Sequence, residues 1–215
     1  MDCYVFGAGE ESLPPVLPPR AEVLVIAADG GYTAAARAFG APDLVVGDFD
    51  SLGYVPKGVS VVCHPPEKDE TDLFLAVREG LARGADRFYL MGALGARLDH
   101  TVANLQLLSY LAERGVEATL IGADGVAVTA LAGPATLAFP PAATGTVSVL
   151  AHGGSAEGVT LRGFRYPLEG GVLTPEFPLG VSNELTGTPA TVSLLRGVLL
   201  VFFPVNAGFP RKTAI

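Results

Sequence analysis

The chain has 215 residues, 49% of them hydrophobic, and a formal net charge of −8. That is enough for one large domain or two small ones, and the acidic balance argues against nucleic acid or an anionic membrane as partner, since both are held by Lys and Arg. No apolar run is long enough to span a bilayer, the start Met1-Asp2-Cys3-Tyr4 lacks the basic leader of a signal peptide, and two cysteines, Cys3 and Cys63, make no disulfide framework, so a reduced, cytoplasmic protein is expected.

From the N-terminus, residues 3–6 read as a strand running into Gly7-Ala8-Gly9. Residues 22–27 form a near-continuous apolar run, as in a strand buried on both faces. An Ala-rich helix over residues 32–39 follows, with Gly40 suited to stop it. Residues 44–46 and 59–63 are further strand candidates. Thr71 or Asp72 is placed to cap a helix that runs to Ala82. A strand over 88–91 comes next, then an amphipathic helix over 101–113 with Val102, Leu105, Leu108 and Leu111 on one face. A strand over 117–121 closes the series. Such alternation predicts a mostly parallel sheet flanked by helices.

The character changes near residues 122–125. From 126 to 203 the chain shows short β-like runs split by Gly and Pro, among them 147–150, 191–194 and 198–203, which predicts an antiparallel β-sandwich. The expected division is an α/β domain over 1–123 and a β-sandwich over 124–215. The tail from Asn206 is expected to be loose or packed on a partner.

Chemistry concentrates in the loops of the first half. Ala28-Asp29-Gly30-Gly31 lies between a strand and a helix, where Gly30 and Gly31 let backbone N–H groups approach a phosphate; the alternative is a tight turn capped by Asp29. In Asp48-Phe49-Asp50-Ser51 the two carboxylates alternate around Phe49, so in an extended stretch both face one way and Phe49 faces the core. Oxygen donors crowded in this way suit Mg²⁺. Lys68-Asp69-Glu70-Thr71-Asp72 opens a helix, where acids and Thr are also ordinary N-terminal residues. Gly92 to His100 brings Gly92, Gly95, Arg97, Asp99 and His100. Arg97 offers a planar guanidinium for bidentate phosphate contact, and Asp99 is a candidate to cap, to orient Arg97 or to accept a proton. No zinc-type Cys/His spacing and no Walker A loop occurs.

Taken in order, these loops resemble those of the thiamine pyrophosphokinase family: Ala28-Asp29-Gly30-Gly31, then Pro42-Asp43 with Gly47-Asp48-Phe49-Asp50-Ser51-Leu52, then Asp69-Glu70-Thr71-Asp72, then Gly95-Ala96-Arg97-Leu98-Asp99-His100. Gly163-Phe164-Arg165-Tyr166-Pro167-Leu168 and Gly180-Val181-Ser182-Asn183-Glu184 resemble its bacterial branch. The resemblance implies an α/β nucleotide-binding domain, a β-sandwich, and a homodimer with thiamine in a cleft shared by both subunits. It implies ATP as co-substrate, Mg²⁺ as cofactor, and thiamine diphosphate and AMP as products. By motif position Asp48, Asp50 and Asp72 would hold metal and handle phosphate. Asp29, Asp69, Arg97 and Asp99 would line the same site, with Gly30, Gly31 and Thr71. Either Asp72 or Asp99 would accept the hydroxyl proton. Ser182 and Asn183 would face thiamine, and Tyr166 stands where some members place a Trp. Lys68 stands where the family usually has Gln. A pyrophosphokinase acting on a pterin alcohol, a thiamine or nucleotide sensor without catalysis, and a metal-dependent phosphohydrolase are the rival readings.

Overall fold

The computed structural model describes residues 1–50, 52–65, 67, 69–95 and 97–213. Residue contacts divide the chain into one unit of Met1–Asn104 with Leu120–Asp124 and another of Leu105–Thr119 with Gly125–Ile215.

In the first unit the apolar runs become parallel strands. These are β1 (Asp2–Phe6), β2 (Leu24–Ala28), β3 (Leu44–Gly47), β4 (Ser60–Cys63) and β5 (Arg87–Met91). Their order is β5-β1-β2-β3-β4, with every neighbouring pair parallel. Val5, Val25, Ile26, Val45, Val46 and Leu90 are fully buried, as expected where a parallel sheet is covered on both faces. Two helices pack on it: α1 (Tyr32–Phe39) and α2 (Asp72–Ala82). The first has the span expected from its composition. It can follow β2 so closely because residue 31 is Gly: a Cβ there would lie 1.9 Å from the Phe6 carbonyl oxygen. The second is capped by Thr71, whose hydroxyl accepts the Phe74 N–H at 3.2 Å, so Asp72 occupies the first helical position and favours the helix dipole.

Register fixes what shares a rim. Phe6 pairs with Met91 and Ala27, Ala28 with Val46, and Gly47 with Cys63. In a parallel sheet the carboxyl ends of all strands lie together, so Gly7, Asp29, Asp48 and Gly92 leave the sheet along one edge. The chain moves from β1 outward through β2 to β4, then returns to the other side of β1 as β5. That reversal between β1 and β5 is a topological switch point, where open α/β sheets bind ligands.

Helix α3 (Leu98–Glu113) and strand β6 (Glu117–Ile121) contribute residues to both units. α3 starts three residues earlier than the apolar spacing predicts, so Asp99 and His100 lie within its first turn. None of the described helices is long and apolar enough to cross a membrane.

The second unit is built from two antiparallel sheets. One has the order β12 (Asn183–Thr186), β9 (Thr144–Ala151), β14 (Val198–Pro204), β7 (Val126–Ala132). The other runs β11 (Leu168–Leu173), β10 (Ala156–Arg162), β13 (Thr191–Leu194), β8 (Ala135–Ala138), β15 (Arg211–Thr213). Phe203 of β14 meets Phe139 edge-on at 5.8 Å between ring centroids, and Phe139 meets Phe164 at 6.0 Å. Edge-to-face rings of this kind hold the sandwich together beyond their area burial. One expectation fails: residues 211–213 are not loose but pair with β8, Arg211 opposite Ala138. A three-residue strand with two charged side chains carries no period that sequence reasoning can detect.

Candidate active site

The acidic loops converge, though not by the route the sequence implies. The stretch after β3 is not extended, because Phe49 adopts a left-handed conformation with φ 64°. Its ring is buried, as expected. The turn closes with the Asp50 N–H donating to Asp48 Oδ1 at 3.3 Å. Asp29 is left-handed as well, with φ 43°. It lies in a 3₁₀ turn after β2 and is 4% exposed. Carboxylate oxygens of Asp29, Asp48 and Asp50 fall within 4.8 Å of one another. Bulky L-residues adopt left-handed backbone at a cost that surrounding structure must impose, and such strain gathers at functional sites.

Three carboxylates so close repel by about 3 kcal/mol per pair at an effective dielectric near 20, before solvent screening. Asp29 Oδ1 is buried and has no hydrogen-bond partner among the described residues. Buried charge without a partner is unfavourable. Oxygen donors in this arrangement fit a hard divalent cation, which would both neutralise the group and engage the orphan oxygen.

Asp29 also borders a pocket of about 300 Å³ at the β1/β5 switch point. Gly7, Ala8 and Gly9 line one side, Gly92 to Gly95 another, and Thr71, Asp72, Arg97, His100 and Asn104 contribute to the rest. The two glycine loops touch: Gly9 N–H donates to the Gly92 carbonyl at 2.9 Å. Gly92 has φ 60°, and a Cβ on it would lie 2.4 Å from the Gly7 carbonyl oxygen. Only glycine permits that approach.

Arg97 is exposed and grips Asp99 with two hydrogen bonds, Nε to Oδ1 at 3.2 Å and Nη2 to Oδ2 at 2.6 Å. The hydrogen bond from Arg97, chiefly, holds the Asp99 carboxyl below the usual carboxylate range. Asp72 shares the pocket wall with Asp29, and no close three-carboxylate group among the described residues includes it. Glu70 is taken up by Arg78 at 2.8 Å. Asp69 is exposed in the bend before α2, and neither it nor Gly30 is among the described residues lining the pocket. Lys68 lies outside the described residues.

The second unit has a smaller pocket of about 240 Å³, lined by Leu161, Tyr166, Leu168, Leu179, Val181, Ser182 and Asn183 among others. Ser182 is left-handed, with φ 60°. Asn183 is buried, and its carboxamide clamps Tyr166: Oδ1 accepts the Tyr166 N–H at 3.0 Å and Nδ2 donates to the Tyr166 carbonyl at 2.7 Å. Tyr166 itself is 57% exposed, with the Arg165 guanidinium 5.6 Å from its ring centre. Arg165 is in turn paired with Glu184 at 2.9 Å.

Sequence reasoning missed the pocket role of Gly7–Gly9 and of Asn104, and placed Asp29 beside the acidic pair rather than within ligand distance of it. A glycine at the end of two strands is a usable signal only once those strands are known to be neighbours.

The family model for the thiamin pyrophosphokinase catalytic domain matches residues 20–120, and that for the thiamin pyrophosphokinase vitamin B1 binding domain matches residues 136–199. The chain is 28% identical over 169 residues to thiamine pyrophosphokinase of Bacillus subtilis, covering 72% of this chain and 75% of that protein. Its structure resembles the crystal structure of thiamine pyrophosphokinase from Bacillus subtilis, with TM-score 0.78, 25% identity and coverage of 95% and 99%. It also resembles a thiamin pyrophosphokinase family protein from Enterococcus faecalis, with TM-score 0.78, 28% identity and coverage of 94% and 98%.

Proposed function

The chain belongs to the thiamin pyrophosphokinase family, and from that premise we propose how its own residues move the pyrophosphoryl group of ATP to the thiamine hydroxyl. The products are thiamine diphosphate and AMP. One observation carries the residue-level reading: Asp29, Asp48 and Asp50 come within 4.8 Å of one another beside a glycine-walled pocket.

In this reading the triphosphate enters between the Gly7–Gly9 and Gly92–Gly95 loops, where four glycines let backbone approach it closely. Arg97 keeps its bonds to Asp99 and offers its remaining guanidinium N–H groups to the phosphates. Asp99, held by Arg97 through two hydrogen bonds, serves to orient the guanidinium. Asp72 lines the pocket wall and Asp99 does not, so Asp72 is assigned to take the proton from the attacking hydroxyl. Asp29, Asp48 and Asp50 would hold Mg²⁺, and Asp72, outside that close group, is assigned to the same site by motif position. When bound, that ion neutralises charge developing on the transferred phosphates. The acidic chain, at net charge −8, needs such an offset to accept ATP. Gly30, Gly31, Lys68, Asp69 and Thr71 complete the nucleotide side by motif position.

Residues 1–123 would thus form the ATP-binding part and 124–215 the thiamine-binding part. Tyr166 offers a ring face to the cationic thiazolium. Ser182 lines the same pocket, and Asn183 acts through the backbone of Tyr166. A cytoplasmic homodimer with shared active sites completes the proposal. A pterin alcohol as acceptor and a non-catalytic sensor are not favoured by the family match.

The test is AMP release from ATP and Mg²⁺ with and without thiamine. Release that depends on thiamine is expected. Hydrolysis of ATP indifferent to thiamine would overturn the transfer, and tight thiamine binding without AMP release would indicate a sensor.

A further inference from the structure

Two buried side chains that belong to no family motif quoted above converge on the loop after β5. The Ser12 hydroxyl, 6% exposed, donates to the Ile121 carbonyl at 2.7 Å and accepts the Gly92 N–H at 3.2 Å. Asn104 of α3, also 6% exposed, donates from Nδ2 to the Ala93 carbonyl at 2.7 Å. Consecutive residues of one loop are therefore held from two sides. Further along, the Thr101 hydroxyl reaches the Gly95 and Arg97 carbonyls, each at 3.2 Å.

Loop backbone on a protein surface can satisfy its polar groups with water. Burying a hydroxyl and a carboxamide to do the same work costs desolvation that only well-formed bonds offset. The fold has another means of joining these segments, since Gly9 already bonds Gly92. What the extra bonds add is a fixed position for the Gly92–Gly95 wall, and that wall leads directly to Arg97. Gly92 and Gly95 have no side chains to hold it by packing, and Ala93 buries only a methyl group. Ser12, Asp29, Asn104, Thr129 and Asn183 are the buried polar residues of the described chain, and three of them stand around this one pocket.

We propose that Ser12 and Asn104 are positioning residues for the triphosphate: they set the Gly92–Gly95 wall, and through it Arg97, before the nucleotide arrives. This rests on the ATP reading of the pocket. Loss of either bond leaves the loop free to sample other positions, and the nucleotide must then order it on binding.

The experiment measures binding of α,β-methylene-ATP with Mg²⁺ by calorimetry, alongside KM for ATP and for thiamine. Ser12→Thr and Ser12→Val have the same shape and differ in the hydroxyl. Asn104→Asp keeps the shape and removes the donor. Ser12→Val is expected to bind the analogue about tenfold more weakly than Ser12→Thr, the scale of one bond lost to a buried group. Asn104→Asp is expected to show a similar loss against wild type. KM for ATP should rise in parallel while KM for thiamine stays within about twofold. Equal analogue affinity in the Thr and Val variants overturns the proposal, as does an equal rise in both KM values. Wild type that fails to bind the analogue overturns it too. Wild type that binds the analogue but releases no AMP with thiamine sinks the transfer reading and leaves this inference standing.

Discussion

The acidic rim of the α/β unit and the Tyr166 pocket of the β unit solve opposite problems. At the rim, like charges are forced together on left-handed backbone at Asp29 and Phe49, an arrangement that a bound cation would relieve. In the β unit Asn183 and Glu184 are already matched. Asn183 bonds the backbone of Tyr166 and Glu184 bonds Arg165, leaving the Tyr166 ring exposed. A site that must bind a highly charged group is recognisable by what it leaves unsatisfied, whereas a site for a flat cation is recognisable by what it has already satisfied.

That contrast can be broken at several strengths. The largest effect should follow Asp48→Asn or Asp50→Asn, each lowering thiamine-dependent AMP release more than about a hundredfold with the circular dichroism spectrum unchanged; near-normal turnover in either purified variant would remove the rim from the mechanism. Next comes Tyr166→Ala. It should raise KM for thiamine about tenfold through lost stacking and leave KM for ATP alone, so a change in KM for ATP instead would merge the two sites. Smaller still, Asp29→Asn without Mg²⁺ should raise the melting temperature by a few degrees, since one of three crowded charges is gone; a lower melting temperature would mean the carboxylate is structural.

The smallest effect concerns pH. The folded pKa of Asp99 lies below its unfolded value because Arg97 binds the charged form. Its contribution to stability is therefore fully present above the ordinary carboxylate pKa and is lost as pH falls through the depressed value. The pair is exposed, so Asp99→Asn should barely change the melting temperature at pH 7 and should flatten the acid limb slightly. A large loss at neutral pH would contradict the assignment of Asp99 to orienting a mobile Arg97.

How much of this was legible beforehand follows from the range of the interactions involved. Helix α1 was readable because an Ala-rich stretch ended by Gly40 is a local signal. The parallel strands were readable because burial on both faces leaves unbroken apolar runs. Strand order was not, and with it went the meeting of the β1 and β5 loops, which depends on a pairing 85 residues apart between Asp2 and Arg87. The Asp48–Asp50 pair was found for an incomplete reason. Extended alternation was expected, and a left-handed turn at buried Phe49 does the work. Ser12 was invisible, since a serine between Glu11 and Leu13 carries no periodic or motif signal. Its role exists only once Ile121 and Gly92 are brought to it.

The central claim is that the rim carboxylates share one divalent ion, and Mn²⁺ reports on it most directly. In crystals grown with Mn²⁺ and α,β-methylene-ATP, anomalous scattering should place the ion about 2.1 Å from carboxylate oxygens of the Asp29, Asp48 and Asp50 group, with phosphate oxygens completing its shell. An anomalous peak bound to the nucleotide but remote from all three side chains would contradict the account.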